Sequence, residues 1–143
     1  MTIIKEISAP QAYEIRKNML RKNIPLTEKI KGDFDESTIH LGVFTEDVLV
    51  SVATFLQNDN ESFKGLQYRL AGMATKEGYQ KKGYGKKLLV TAENILKDRD
   101  VSILWCNARV IALNFYKKLG IITLGEEFEL PLIGSHFAMY KEL

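Results

Sequence analysis

Apolar residues recur along this chain in two rhythms, and the changes of rhythm divide it into elements. Ile3 to Ile7 reads as a short edge strand. Ser8-Ala9-Pro10-Gln11 follows as a capping box, a hydroxyl that caps a helix and an amide three residues on that reaches back to it. The helix is expected from about Ala9 to Leu20, with Ala12, Ile15, Met19 and Leu20 on one face, and Pro25 limits its extension. Lys22 to Ser37 is polar and shows little periodicity. Ile39 to Phe44 and Val48 to Leu56 predict a hairpin that turns at Thr45-Glu46-Asp47. A loop, Gln57 to Lys64, leads to a further strand, Leu66 to Thr75.

Beyond a loop of glycines and lysines, Leu88, Leu89, Ala92, Ile95 and Leu96 fall at helical spacing, which predicts a helix from about Gly83 to Asp98. Val101 to Cys106 has the composition of a buried central strand. A second helix is expected from about Arg109 to Leu119, with Ala112, Phe115, Tyr116 and Leu119 on one face and Gly120 as its stop. Ile121 to Phe128 and His136 to Tyr140 read as closing strands around Pro131 and Gly134. A hairpin followed by strand, helix, strand, helix and two strands predicts an α/β chain with a mixed sheet, helices on both faces and a right-handed parallel crossover.

A length of 143 residues fits one domain, residues 1–143, with a single substantial core. The net charge of +2 is too small to imply a nucleic-acid partner; the lysines gather locally, between 76 and 87. There is no basic segment leading into a long apolar one at the N-terminus, and no uncharged apolar run near ~18 residues, so a soluble, unexported protein without a membrane partner is expected. The one cysteine, Cys106, has no partner for an internal disulfide, and no Cys/His grouping has metal-ligand spacing. No metal is therefore expected, a reducing, cytoplasmic compartment fits, and Cys106 reads as a buried inert thiol.

The loop Lys76 to Lys87 carries the first chemical signal. Gly83 and Gly85 lack a Cβ, so the backbone can turn its N–H groups to one point and admit a bulky anion. The helix that starts there adds free N–H groups and the positive end of its dipole, and Lys81, Lys82, Lys86 and Lys87 add charge. A phosphate or pyrophosphate is the guest such a loop suits, although the same glycines and lysines also fit a tight turn with a solvated basic face. Gly78 and Gly83 have the spacing of a Walker loop, but Tyr84 and Gly85 stand where Lys and Ser/Thr belong. A dinucleotide fingerprint fails too, because Leu88 occupies the third glycine position.

What the segment does match is Q/R-x-x-G-x-G/A, as Gln80-Lys81-Lys82-Gly83-Tyr84-Gly85, and downstream Ala112-Leu113-Asn114-Phe115-Tyr116-Lys117-Lys118-Leu119-Gly120-Ile121 matches A-x-x-F-Y-x-x-x-G-F except at Ile121. With these two motifs in this order, residues 38 to 143 resemble the GNAT superfamily of acyl-CoA-dependent N-acetyltransferases. The resemblance implies a mostly antiparallel sheet with a central parallel strand pair that splays, and a loop, Gln80 to Lys86, that grips the pyrophosphate of acetyl-CoA. It implies that the backbone of Met73, Ala74 and Thr75 holds pantetheine and the thioester carbonyl, and that Tyr116 is the general acid and touches the cofactor. The implied activity is direct transfer of an acetyl group to an amine of a small molecule or a protein, by a monomer or homodimer. A CoA-binding sensor or docking module without catalysis is the alternative, as is an interaction domain whose basic patch takes another phosphate ligand or an acidic partner.

Amide formation needs a neutral amine, a donor for the developing oxyanion and a proton for the departing thiolate. A phenol stays protonated at neutral pH, which suits Tyr116 to the last of these; a core aromatic would sit at the same helix position. Asn107 stands where ligands of open α/β sheets gather and could bond the cofactor, or cap the next helix. No carboxylate lies in Leu66 to Thr75 to serve as general base. His136 is the nearest substitute and is assigned to the substrate site, with a structural histidine as the alternative. Arg69, mid-strand, reads either as an ion-pair partner, the preferred assignment, or as an acceptor-site charge.

Overall fold

The computed structural model describes residues 1–143. Strand β1 (Thr2–Glu6) is followed by helix α1 (Ala9–Leu20), whose capping box forms as expected: Ser8 N–H donates to Gln11 Oε1 at 2.8 Å and Gln11 N–H to Ser8 Oγ at 3.4 Å. Strands β2 (Ile39–Thr45) and β3 (Val48–Gln57) form the hairpin, and Glu46 and Asp47 both take positive φ, the turn geometry that matches strand twist. Strand β4 (Gln67–Thr75) then runs to the glycine loop, α2 (Tyr84–Asp98) crosses back, and β5 (Ile103–Arg109) lies parallel to β4. A 3₁₀ turn (Val110–Ala112) and the short α3 (Leu113–Lys117) lead to β6 (Ile122–Leu130) and β7 (Gly134–Glu142).

The seven strands form one sheet in the order β1-β2-β3-β4-β5-β7-β6, in which β4–β5 is the only parallel pair. Helix α2 buries Leu88, Leu89, Ala92 and Leu96 against Leu41, Val43, Phe55, Leu70 and Leu104, the main core. Helix α1 makes a smaller cluster on the other face, where Ala12 and Ile15 meet Val52 and Ala74. The mixed, mostly antiparallel sheet with helices on both faces is thus the expected one.

β7 runs longer than expected, over Gly134–Glu142, and two larger differences bear on the site. β5 is not spent by Cys106; Asn107, Ala108 and Arg109 continue it because they pair with Ala138, Phe137 and His136 of β7. The helix expected from Arg109 therefore shrinks to α3, since sheet pairing claims its first residues and tertiary contact overrides local pattern. The second difference is a bulge. Val52 pairs with Ala74 but Thr54 with Ala71, so Gly72 and Met73 together oppose one residue of β3, and Gly72 has φ +61°.

Arg16, on the inner face of α1, is 1% exposed and locks that helix down. It donates to both Asp33 oxygens, at 2.9 and 3.0 Å, and to Thr54 Oγ1 at 2.6 Å. The Thr54 hydroxyl, having accepted from Arg16, gives its own proton to His40 Nδ1 at 2.8 Å, and His40 Nε2–H donates to the Asp33 carbonyl at 2.7 Å. Gly72 makes room for this group, for a Cβ there would stand 2.8 Å from Arg16 Nε. Burial alone would raise the Asp33 pKa, but the hydrogen bonds from Arg16 and the Ile30 N–H outweigh it and hold the carboxyl below its ordinary value. Asp33 thus stabilises the fold above about pH 4, and that contribution is lost as pH falls through the lower folded-state value. Asp33→Ala should lower unfolding free energy in urea by about 3–5 kcal/mol at neutral pH, because it strands a buried cation.

Candidate active site

The parallel ladder between β4 and β5 spans only Gln67–Ile103, Tyr68–Leu104 and Arg69–Trp105. Beyond Arg69 the strands part, and the edge of β4 from Leu70 to Thr75 has no strand on its β5 side. The Gly72–Met73 bulge bends β4 at this place. A wedge opens whose walls are strand backbone, and backbone N–H groups there are fixed by the fold.

On one side of the wedge lies a cleft of about 890 Å³, lined among others by Met73, Ala74, Thr75, Gln80, Lys81, Gly83, Tyr84, Gly85, Lys86, Phe115 and Tyr116. Gly83 caps α2 with φ +82°, and the first helical hydrogen bond runs from Lys87 N to Gly83 O at 3.1 Å. The N–H groups of Tyr84, Gly85 and Lys86 are therefore left for a ligand, and no side chain caps them. A Cβ on Gly83 would meet nothing within 4 Å, so this glycine answers to its left-handed backbone; one on Gly85 would stand 3.0 Å from Phe115 Cζ. Gly85 thus lets the Phe115 ring come close to the start of α2. Lys82 lies outside the lining, exposed, its Nζ 5.7 Å from the centre of the Tyr79 ring. The chemistry fits a pyrophosphate: free N–H groups at a helix start, mobile lysines at the rim and an apolar floor for the rest of a cofactor.

On the other side is a pocket of about 320 Å³ between β4, β5 and the β6–β7 turn, lined by Arg21, Arg69, Asn107, Arg109, Ile133 and His136 together with the strand backbone. Asn107 therefore belongs to this pocket and not to the cofactor cleft. The two cavities share Leu20, Met73, Ile111, Ala112 and Tyr116. His136 is buried, and its Nδ1–H donates to Gly134 O at 2.7 Å, which leaves Nε2 as the acceptor of the neutral ring. The preferred ion-pair role for Arg69 is not met: no carboxylate pairs with it, and its guanidinium lies 5.9 Å from the centre of the Trp105 ring.

Tyr116 stands at the junction, its ring edge-on to Phe115 and its hydroxyl 3.9 Å from Met73 Sδ. Burial, and next the nearby Cys106, push its pKa upward, so the phenol holds its proton at neutral pH. Sequence pattern alone did not point to Arg21, Arg109, Leu20, Ile111 or the Gly72 bulge. Arg109 was hidden by its assignment to a helix, and Arg21 by its place in a polar, aperiodic stretch.

A seven-stranded mixed sheet whose one parallel pair splays beside a glycine–lysine helix start defines an acyl-CoA-binding transferase fold. Residues 5–121 match the acetyltransferase (GNAT) family, and the chain belongs to that family. The uncharacterized N-acetyltransferase YitI of Bacillus subtilis is 42% identical over 145 residues, covering 100% of this chain and 97% of YitI. ElaA of Escherichia coli shares the fold with a TM-score of 0.80 at 20% identity, over 99% of this chain and 100% of ElaA. An aminoglycoside 6'-N-acetyltransferase solved with coenzyme A superimposes with a TM-score of 0.73 at 15% identity, over 98% and 96% of the two chains. The protein is an N-acetyltransferase of the GNAT type, a family that uses acyl-CoA. No helix is long and apolar enough to cross a membrane.

Beside Tyr116, Cys106 is buried and its thiol is pushed up to about 12 by burial. A folded pKa above the unfolded one of 9.0 means stability that is complete below pH 9 and lost as pH rises towards 12. Between about pH 8 and about pH 10.5 the wild type should lose on the order of 2 kcal/mol through this group, and Cys106→Ala should be spared that part. Urea midpoints of both proteins at both pH values provide the measurement, and equal losses would contradict it.

Proposed function

We propose that this enzyme moves an acetyl group from acetyl-CoA directly to an amine within a ternary complex, with Tyr116 as the general acid. The observation that carries the reading is the meeting of the two cavities at Tyr116, where the β4–β5 wedge opens. Pyrophosphate would lie on the N–H groups of Tyr84, Gly85 and Lys86 with Lys81 and Lys86 at its rim, and the pantetheine arm along Met73, Ala74 and Thr75. The free edge of β4 supplies N–H donors to the thioester oxygen as negative charge develops there, in a position that needs no reorganisation.

The amine enters from the opposite pocket. Its nitrogen forms the new C–N bond as the C–S bond breaks; its proton leaves to a base, and the thiolate takes the Tyr116 proton. No carboxylate lines this pocket, and His136, with Nε2 as an acceptor, is the nitrogen base that does. Burial raises the Tyr116 pKa, so in this reading the phenol enters the reaction protonated and gives up its proton as charge develops on the departing sulfur.

Gly83→Val places a branched residue at φ +82°, which should cost about 1–3 kcal/mol of stability and obstruct the anion loop. Calorimetric titration with acetyl-CoA should show binding lost in a still folded protein; wild-type affinity would contradict the pyrophosphate assignment. Tyr116→Phe keeps the ring against Phe115 and gives up only the weak contact to Met73. Acetyl-CoA affinity should hold while the single-turnover rate of CoA release to an amine falls about 10²–10⁴-fold. An unchanged rate would make Tyr116 a packing residue.

A further inference from the structure

Three arginines from three separate elements reach the pocket opposite the cofactor cleft: Arg21 from the end of α1, Arg69 from β4 and Arg109 from the end of β5. None pairs with a carboxylate; the ion pairs of the protein are Met1–Glu46, Arg16–Asp33 and Lys141–Glu93. No aspartate or glutamate lines this pocket. An adjoining cavity of about 260 Å³ shares Arg21 and Arg69, and there Glu28 is a single carboxylate among Arg16, Arg21, Lys29 and Arg69.

Guanidinium groups taken from water are normally paired. Arg21 donates to the carbonyls of Thr27 at 3.2 Å and Leu20 at 3.1 Å, and Arg109 donates to the same Leu20 carbonyl at 3.3 Å, so the two charges converge. Burial first, and then the Arg109 charge, lower the Arg21 pKa, yet a guanidinium remains cationic throughout the neutral range. Arg69 is more exceptional. Its Nε is buried without a partner, and its guanidinium lies 5.9 Å from the centre of the Trp105 ring. The pocket thus has three positive charges, unused donors in fork geometry and an apolar lining, beside the residue that faces the thioester in the reading above.

We infer that the acceptor is a small amine carrying an oxyanion group, a carboxylate or a phosphate, which Arg69 grips with Arg21 and Arg109 while its amine reaches towards Tyr116. The inference rests on the transfer reaction proposed above and adds the substrate class to it. A guanidinium fork matches two oxygens of either group. The same charges repel polycationic acceptors such as polyamines. A pocket of about 320 Å³ suits a molecule of amino-acid size.

The test uses the whole chain saturated with CoA and amines in pairs that differ in charge: amino acids against their amides, and phosphoethanolamine against ethanolamine. Trp105 is the only tryptophan and lies against Arg69, so its emission reports binding. Wild type should bind the anionic member of a pair about 10–100-fold more tightly than the neutral one, and Arg69→Met, which keeps the stem and removes the fork, should bring the ratio near one. The larger ratio tells carboxylate from phosphate. Arg109→Gln, at the end of β5, should reduce the ratio too and serves if Arg69→Met does not fold. Equal binding within pairs, no binding of any anionic member, or an unchanged ratio in both variants would overturn the inference. CoA release from acetyl-CoA is followed separately with the same amines. Charge-selective binding without release would sink the transfer reading and leave the anion pocket standing; release with neutral or cationic amines alone would do the reverse.

Discussion

Everything distinctive in this molecule depends on a parallel strand pair that is allowed only three residue pairs. A sheet normally satisfies every backbone group of its central strands, and an unpaired one inside a protein is unfavourable. Here β4 and β5 separate just past Arg69, in the middle of the sheet and not at its edge. The unpaired groups then call for a ligand or water, and the gap is flanked by a helix start on one side and by arginines on the other. The antiparallel pairs to either side, β3 with β4 and β5 with β7, keep the strands from closing the gap by themselves.

The bulge at Gly72 connects that gap to the stability of the fold. The same glycine bends β4 and leaves room for Arg16, whose pairing with Asp33 fastens α1 and the segment after it to the sheet. A side chain there would meet Arg16 Nε and would also be strained at φ +61°. One backbone position therefore serves both the packing of α1 and the shape of the site, and changes at Gly72 cannot be expected to act on one alone.

What could be read from the chain followed from how local each feature is. The capping box, the hairpin turn and the apolar face of α2 are set by residues within a few positions of one another, and they formed as their spacing predicts. The loop around Gly83 was legible for the same reason. The extent of β5 was not, because Asn107 to Arg109 are held as a strand by residues some thirty positions later. Arg16 gave no local sign of being buried, since its partner Asp33 lies in a stretch without periodicity. Arg21, Arg69 and Arg109 are far apart in the chain, and only the fold brings them to one pocket.

That gathering of charge has a cost to the fold itself. Arg21, whose basicity is lowered by burial and then by the charge of Arg109, and Arg69 with a buried, unpartnered nitrogen are held in place by the packing around them, against their own electrostatics. The arginine cluster is thus a locally frustrated region, where a residue better for stability would remove the charge that the inferred acceptor needs. The anionic acceptor inferred above would relieve that repulsion on binding, and the folded state would gain by mass action. On that inference the resistance of this protein to unfolding would be a property of its surroundings as well as of its chain, highest where suitable anions are abundant.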